Sequence, residues 1–230
     1  MTLAACAEQR LAPATLPRHR HAEAYAAVVL DGGYVEAGDL GCWRAEPGDV
    51  LVHRAFEAHQ NTVDRGGARV LNLPLTADIA VPPAFRAHDI DAVIRAARRD
   101  PAAAAASLSV EGVLAPVVRS WPDLLAAALR EDPDLSLGPW ARRNGLAAAT
   151  VSRGFAAAFG VTPARYRAEA RALAAWRRIR TGGEPLAAIA YEGGFADQAH
   201  MSRAIVALTG APPRAWSPVK TVQDAVRAPA

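Results

Sequence analysis

Two groups of side chains in this 230-residue chain have the types and spacing to do chemistry. The first lies in HRHAEAY, which sets His19, His21, Glu23 and Tyr25 two residues apart. In a strand such residues share a face, so all four would point to one side. Imidazoles joined by a carboxylate or phenolate could hold zinc or another first-row divalent ion. The second group is a pair of helical faces. In LAAATVSRGFAAAF, Val151, Phe155 and Phe159 recur at the spacing of a buried stripe, which leaves Ala148, Ala149, Ser152 and Arg153 outward. In QAHMSRAIVAL, Met201, Ile205 and Leu208 turn inward, so Gln198, Ala199, Ser202 and Arg203 face out with His200 at the margin. Outward faces of this kind could read base edges in a major groove, and arginine is the best reader of guanine.

The elements that must carry these faces form two helix-turn-helix units between Leu137 and Pro218. In the first, Leu137, Trp140 and Ala141 make the inner face of the opening helix, Asn144-Gly145 stops it, and Thr162-Pro163 restarts the chain as an N-cap and first helical position. In the second, Leu186, Ile189 and Ala190 are inward, Gly193-Gly194 turns, Phe195 plugs the junction, Asp197 caps and Trp216 seals the end. The second unit repeats the supersecondary grammar of the first, not its residues. Pro163 to Arg180 reads as one connecting helix of about 27 Å, which could set two recognition helices near one turn of B-DNA apart. Charge agrees: residues 135–218 carry 11 Arg against 4 acids, net +7, whereas 1–134 carry 13 Arg against 18 acids, net −5. The polyanion-binding surface is thereby placed in the C-terminal part, which the whole-chain balance of +3 hides.

The stretch GFADQAHMSRAIVALTGAPPRAW, with GVTPARYR before it, resembles the DNA-binding domain of AraC-type (AraC/XylS) transcription regulators. The resemblance implies base contacts from Ala149, Ser152 and Arg153 in the first unit and from Gln198, Ala199, His200 and Arg203 in the second. Met201 and Ile205 stand where aromatic residues are usual, Val206 where a base is usual and Ser217 where arginine is common. These departures bear on packing and phosphate contact, hence on affinity. Alanine at 148, 149 and 199 leaves Arg153 and Arg203 to carry most direct readout.

Residues 16–75 alternate in short runs broken by turns, at DGG and again at a Gly-Gly, which suggests a small β-barrel or sandwich. EPGDVLVHRAFEAHQ and HRHAEAY resemble the two halves of a cupin barrel, a common sensing domain of such regulators. The resemblance puts His59 at the later cupin histidine, with His53 nearby, and implies a metal held by His19, His21 and His59, with Glu23, Tyr25 and His53 as further candidates. Tyr25 stands where the family has its glutamate, and Glu23 falls two residues early. A metal-free pocket for an organic anion and a barrel that has lost its site remain open readings.

The expected fold is therefore α+β and multidomain: a cupin-like β-barrel over 1–81, a helical cover, dimerisation and linker segment over 82–133, an all-α tandem helix-turn-helix domain over 134–218, and a flexible tail over 219–230. Cys6 and Cys42 make neither a metal pair nor a disulfide framework, and LAAC at Leu3 to Cys6 lacks the basic and apolar region of a lipoprotein signal. No run of 18 apolar residues predicts a spanning helix, so cytoplasmic residence away from the membrane is expected. The expected function is sequence-specific DNA-binding regulation of transcription, reading two consecutive major grooves of double-stranded DNA as a homodimer, in answer to a small-molecule or metal effector. Contact with RNA polymerase is part of that expectation and catalysis is not. The alternatives are a metal-dependent cupin enzyme and an architectural DNA-binding protein without an effector.

Overall fold

The computed structural model describes residues 7–75 and 81–218, so Cys6, the Leu3–Cys6 motif and the 219–230 tail lie outside the described residues. The chain divides into two compact units, Met1–Tyr166 and Arg167–Ala230. The first contains one eight-stranded antiparallel sheet: β1 (Ala7–Leu11), β2 (Thr15–Arg20), β3 (Tyr25–Gly38), β4 (Cys42–Ala45), β5 (Asp49–His53), β6 (Ala58–Pro74), β7 (Ala84–Ala87) and β8 (Val110–Val113). The sheet thus runs beyond residue 81, into the segment read from sequence as helical cover.

Two long strands organise it. The first half of β3 lies between β6 and β5, and its second half between β6 and β4. Likewise β6 pairs β2 through its first half and β1 through its second. The DGG and Gly66-Gly67 sequences, which read as turns, are instead where these strands shift register, between Val29 and Asp31 and between Gly32 and Tyr34. Gly32 is left-handed (φ 68°), and a Cβ there would strike the Gly67 carbonyl, so both sequence positions need glycine. A bulge adds one residue, and the inward face passes from Tyr25, Ala27 and Val29 to Tyr34 and Glu36.

Three apolar clusters follow from this alternation. Val29, Tyr34, Trp43, Leu51, Val63 and Val70 fill the interior between the half-sheets. Ala26, Val28, Val50, Val52, Leu71 and Phe85 face outward under α1 (Ile90–Ala97) and α2 (Pro101–Ala106), helices started by the Asp89 and Asp100 caps. The other outer face, at Ala37 and Cys42, packs with Leu125 and Leu129 of α3 (Trp121–Glu131) and with the first helix-turn-helix unit, α4 (Leu137–Arg143) and α5 (Ala148–Phe159), through Trp140, Val151, Phe155 and Phe159. A Cβ at Gly154 would meet the Trp121 ring, so this glycine lets α3 and α5 approach closely.

From Pro163 to Thr181 the chain is one helix, α6. In the second unit Ile189 and Ala190 of α7 (Leu186–Glu192) and Met201, Ile205 and Leu208 of α8 (Gln198–Thr209) are buried, as are Leu173, Trp176 and Ile179. Phe195 is buried at the α7–α8 junction, and Asp197 caps α8 by accepting from the His200 amide at 2.6 Å. Trp216 donates to Thr209 Oγ1 at 3.1 Å and stands edge-on to Trp176.

Candidate functional site

Inside the sheet domain the histidines converge. His19 and His59 are register partners on β2 and β6, with ring centroids 4.3 Å apart. His21, just past the end of β2, lies 5.0 Å from His19 and 5.5 Å from His59. The ligating atoms of His19, His21 and His59 all fall within 4.8 Å of one another. The His19 Nδ1 lies 2.8 Å from the Pro17 carbonyl. In that contact Nδ1 carries the proton, which fixes the tautomer and leaves Nε2 as a lone pair for a ligand. Tyr25 is buried, its hydroxyl 3.4 Å from His59 Nε2 and its ring stacked 4.4 Å from His53. Glu23 is exposed, because β2 ends at Arg20 and the chain bends before β3 begins. The structure thus gathers His19, His21, Tyr25, His53 and His59 and leaves Glu23 out.

A carboxylate is present nonetheless. Glu36, on the second half of β3, is 4% exposed, and with His53 and His59 forms a second set whose ligating atoms lie within 4.8 Å. Its Oε2 is 3.6 Å from His53 Nε2. Burial pushes the Glu36 carboxyl up to about 8, with Glu57 adding to the rise and a hydrogen bond from Asn61 opposing it. Burial likewise drives His53 down to about 3, and holds His59 well below the usual range. At neutral pH the Glu36–His53 contact is therefore between neutral groups. Glu36, His53, His59, Trp43, Asp39 and Glu57 line a cavity of about 20 Å³, room for one water or an ion.

The same strands carry a second surface on their outward faces. Arg18, next to His19, pairs with Asp39 and lies over the Tyr166 ring at 5.5 Å. Gln60, next to His59, donates to the Ala158 carbonyl near the end of α5. The Tyr166 hydroxyl lies 3.2 Å from the Asp39 carbonyl and receives Arg130 at 3.3 Å. Histidines inward and helix contacts outward therefore alternate along β2 and β6.

The outward faces of the two helix-turn-helix units are as the periodicity required. Ala149, Ser152 and Arg153 on α5 are exposed opposite buried Val151, Phe155 and Phe159. On α8, Gln198, Ala199, His200 and Arg203 are exposed opposite Met201, Ile205 and Leu208. Residues 140–217 match the family model described as a helix-turn-helix domain. These residues are an AraC-type helix-turn-helix domain. Domains of this type bind DNA in the regulation of transcription. No curated protein sequence matches the chain. Among solved structures, ToxT from Vibrio cholerae aligns over 93% of this chain and 98% of its own at 7% identity and a TM-score of 0.43. A salicylate 1,2-dioxygenase mutant from Pseudoaminobacter salicylatoxidans aligns over 28% of this chain and 19% of its own at 24% identity (TM-score 0.27). An oxalate decarboxylase variant from Bacillus subtilis aligns over 28% and 19% at 22% identity (TM-score 0.26). This chain thus spans about a fifth of the length of either enzyme. Among the described residues, no helix is long and apolar enough to cross a membrane.

Proposed function

We propose that the protein is a sequence-specific transcription regulator that reads two consecutive major grooves with α5 and α8 and answers to an effector in the N-terminal sheet domain. The observation that carries this reading is the pair of helices α5 and α8, each with one buried apolar face and one exposed face that carries an arginine, within an AraC-type domain. Helix α6, 19 unbroken residues, is roughly 28 Å long at 1.5 Å per residue. On this reading Ala149, Ser152, Arg153, Gln198, Ala199, His200 and Arg203 face bases, in a cytoplasmic homodimer on promoter DNA that can engage RNA polymerase. Fluorescence anisotropy on operators recovered from genomic fragments tests it: Arg203→Ala weakens specific binding by about 1 to 3 kcal/mol and relaxes one base position. An unchanged sequence preference defeats the assignment.

The effector on this reading is a divalent ion held by His19, His21 and His59, whose preset His19 tautomer and proximity support it. Its route to the DNA is the strand pair β2 and β6. An ion that draws His19 toward His59 moves Arg18 and Gln60 on the opposite face, and these hold Tyr166 and the end of α5. Gln60→Ala then leaves metal affinity unchanged and reduces the effect of metal on DNA binding. A metal effect of full size in that variant rejects the route. The buried Glu36 and histidines favour one second reading, a metal-dependent enzyme, and turnover on addition of Fe(II) is its sign.

A further inference from the structure

We infer that the sheet domain offers a divalent cation a second, inner position, formed by Glu36, His53 and His59, and that it alternates with the outer His19–His21–His59 position because both require His59. The inner position stands on its own residues; only the alternation rests on the function proposed above.

Four observations point to it. The three ligating atoms lie within 4.8 Å of one another, and all three side chains are buried. A four-coordinate ion bound at about 2.1 Å to each nitrogen brings ligands to roughly 3.4 Å apart, close to the 3.6 Å already separating Glu36 Oε2 from His53 Nε2. Second, Glu36 Oε2, His59 Nδ1, Asn61 Oδ1 and Trp43 Nε1 are all buried with no hydrogen-bond partner among the described residues. Such groups are costly to bury unless something completes them. Third, the cavity lined by Glu36, Trp43, His53 and His59 admits an ion or a water. Fourth, that cavity is bordered by carboxylates: beside Glu36 stand Glu57 and an Asp39 already engaged by Arg18 and by the Ala58 amide at 2.9 Å.

Chemistry selects the ion. Two imidazoles and a carboxylate suit zinc and Fe(II)-type first-row metals, whereas calcium and magnesium prefer all-oxygen shells. The carboxylate comes from β3, so the tyrosine at position 25, where the cupin resemblance expected glutamate, is answered by a residue eleven positions further along the same strand. A neutral imidazole offers one lone pair, so His59 serves one ion at a time. Occupancy is then one per chain, with an inner ion shielded by buried residues and an outer one beside half-buried His19.

Titration of metal-stripped full-length protein with Co(II), read by equilibrium dialysis and the visible ligand-field spectrum, decides the matter. Wild type binds one equivalent. His19→Ala/His21→Ala retains one equivalent with a changed spectrum, and adding the isosteric Glu36→Gln to that background lowers affinity at least tenfold. Glu36→Gln/His53→Ala retains one equivalent with the outer-site spectrum, and His59→Ala binds none. Loss of all cobalt from folded His19→Ala/His21→Ala overturns the inner position and leaves the outer reading intact. Loss of all cobalt from Glu36→Gln/His53→Ala overturns the outer reading and leaves the inner one. Two equivalents in wild type overturn the alternation, and none overturns both positions. Far-UV circular dichroism establishes that each variant is folded, and Glu36→Gln alone preserves shape if the doubles unfold.

Discussion

The two helix-turn-helix units follow one grammar but are held differently. In the first, Trp140, Val151, Phe155 and Phe159 share a cluster with Ala37 and Cys42 of the sheet and with Leu125 and Leu129 of α3. In the second, Ile189, Met201, Ile205 and Leu208 are buried in a separate compact unit with Leu173, Trp176 and Ile179. Their starts differ too: α8 has the Asp197 side-chain cap, whereas α5 starts at Ala147 with none. One recognition helix is thus part of the sheet domain's own core, and the other stands on its own supports. The same local sequence rules make both, and tertiary context decides what each packs against.

The largest expected effect breaks that difference directly. Phe155→Ala removes a fully buried ring and costs about 3 to 5 kcal/mol. Because its cluster is shared, hydrogen exchange should show β3, β4 and α3 loosening together with α5. Met201→Ala costs about 2 to 5 kcal/mol in the second unit, and protection in the sheet should not change. Loosening of the sheet in Met201→Ala, or none in Phe155→Ala, would erase the contrast.

A pH experiment sharpens it from the sheet side. Glu36 is raised to about 8 from 4.5, so its contribution is complete below pH 4.5 and is lost as pH climbs through 8. His53 is depressed to about 3 from 6.5, so its contribution is present above pH 6.5 and is lost as pH falls through 3. Between 4.5 and 6.5 the two slopes oppose, and from 6.5 to 8 only the Glu36 loss remains. Urea midpoints of metal-free protein should therefore fall by the equivalent of about 2 kcal/mol over that upper interval. Glu36→Gln should flatten the fall, and a slope that survives the substitution assigns it to another group.

The smallest effects concern the caps. Asp197→Ala should cost about 0.5 to 2 kcal/mol in the second unit, and Ala147→Ser should return up to about 1 kcal/mol to the first, both read from thermal unfolding. Equal responses in the two units would show that the caps do not set their difference.

Much of this was legible beforehand because it is local. The inward stripe of Val151, Phe155 and Phe159, the Asp197 cap and the Phe195 plug depend only on residues within a turn or two. The gathering of His19, His21 and His59 was legible through the cupin resemblance. Glu36 was not, and the reason is geometrical. Counting by twos from inward Tyr25 puts residue 36 outside, and only the bulges around Gly32 bring it in. Nor could spacing tell that Glu23 would fall beyond the end of β2. The joining of the first unit to the sheet rests on pairs such as Gln60 with Ala158 and Trp121 with Gly154, which no local pattern announces.

The cluster shared by α3, α5 and the outer sheet face also governs how the protein can be divided. A fragment starting near residue 134 would keep Trp140, Phe155 and Phe159 but lose Ala37, Cys42, Leu125 and Leu129, which pack with them. Its first recognition helix would then present to water an apolar face made to be covered, of the kind that draws copies of a chain together. Such a fragment would be limited by aggregation before its affinity for DNA could be measured, whereas one that begins at α3 would keep Leu125 and Leu129 over part of that face.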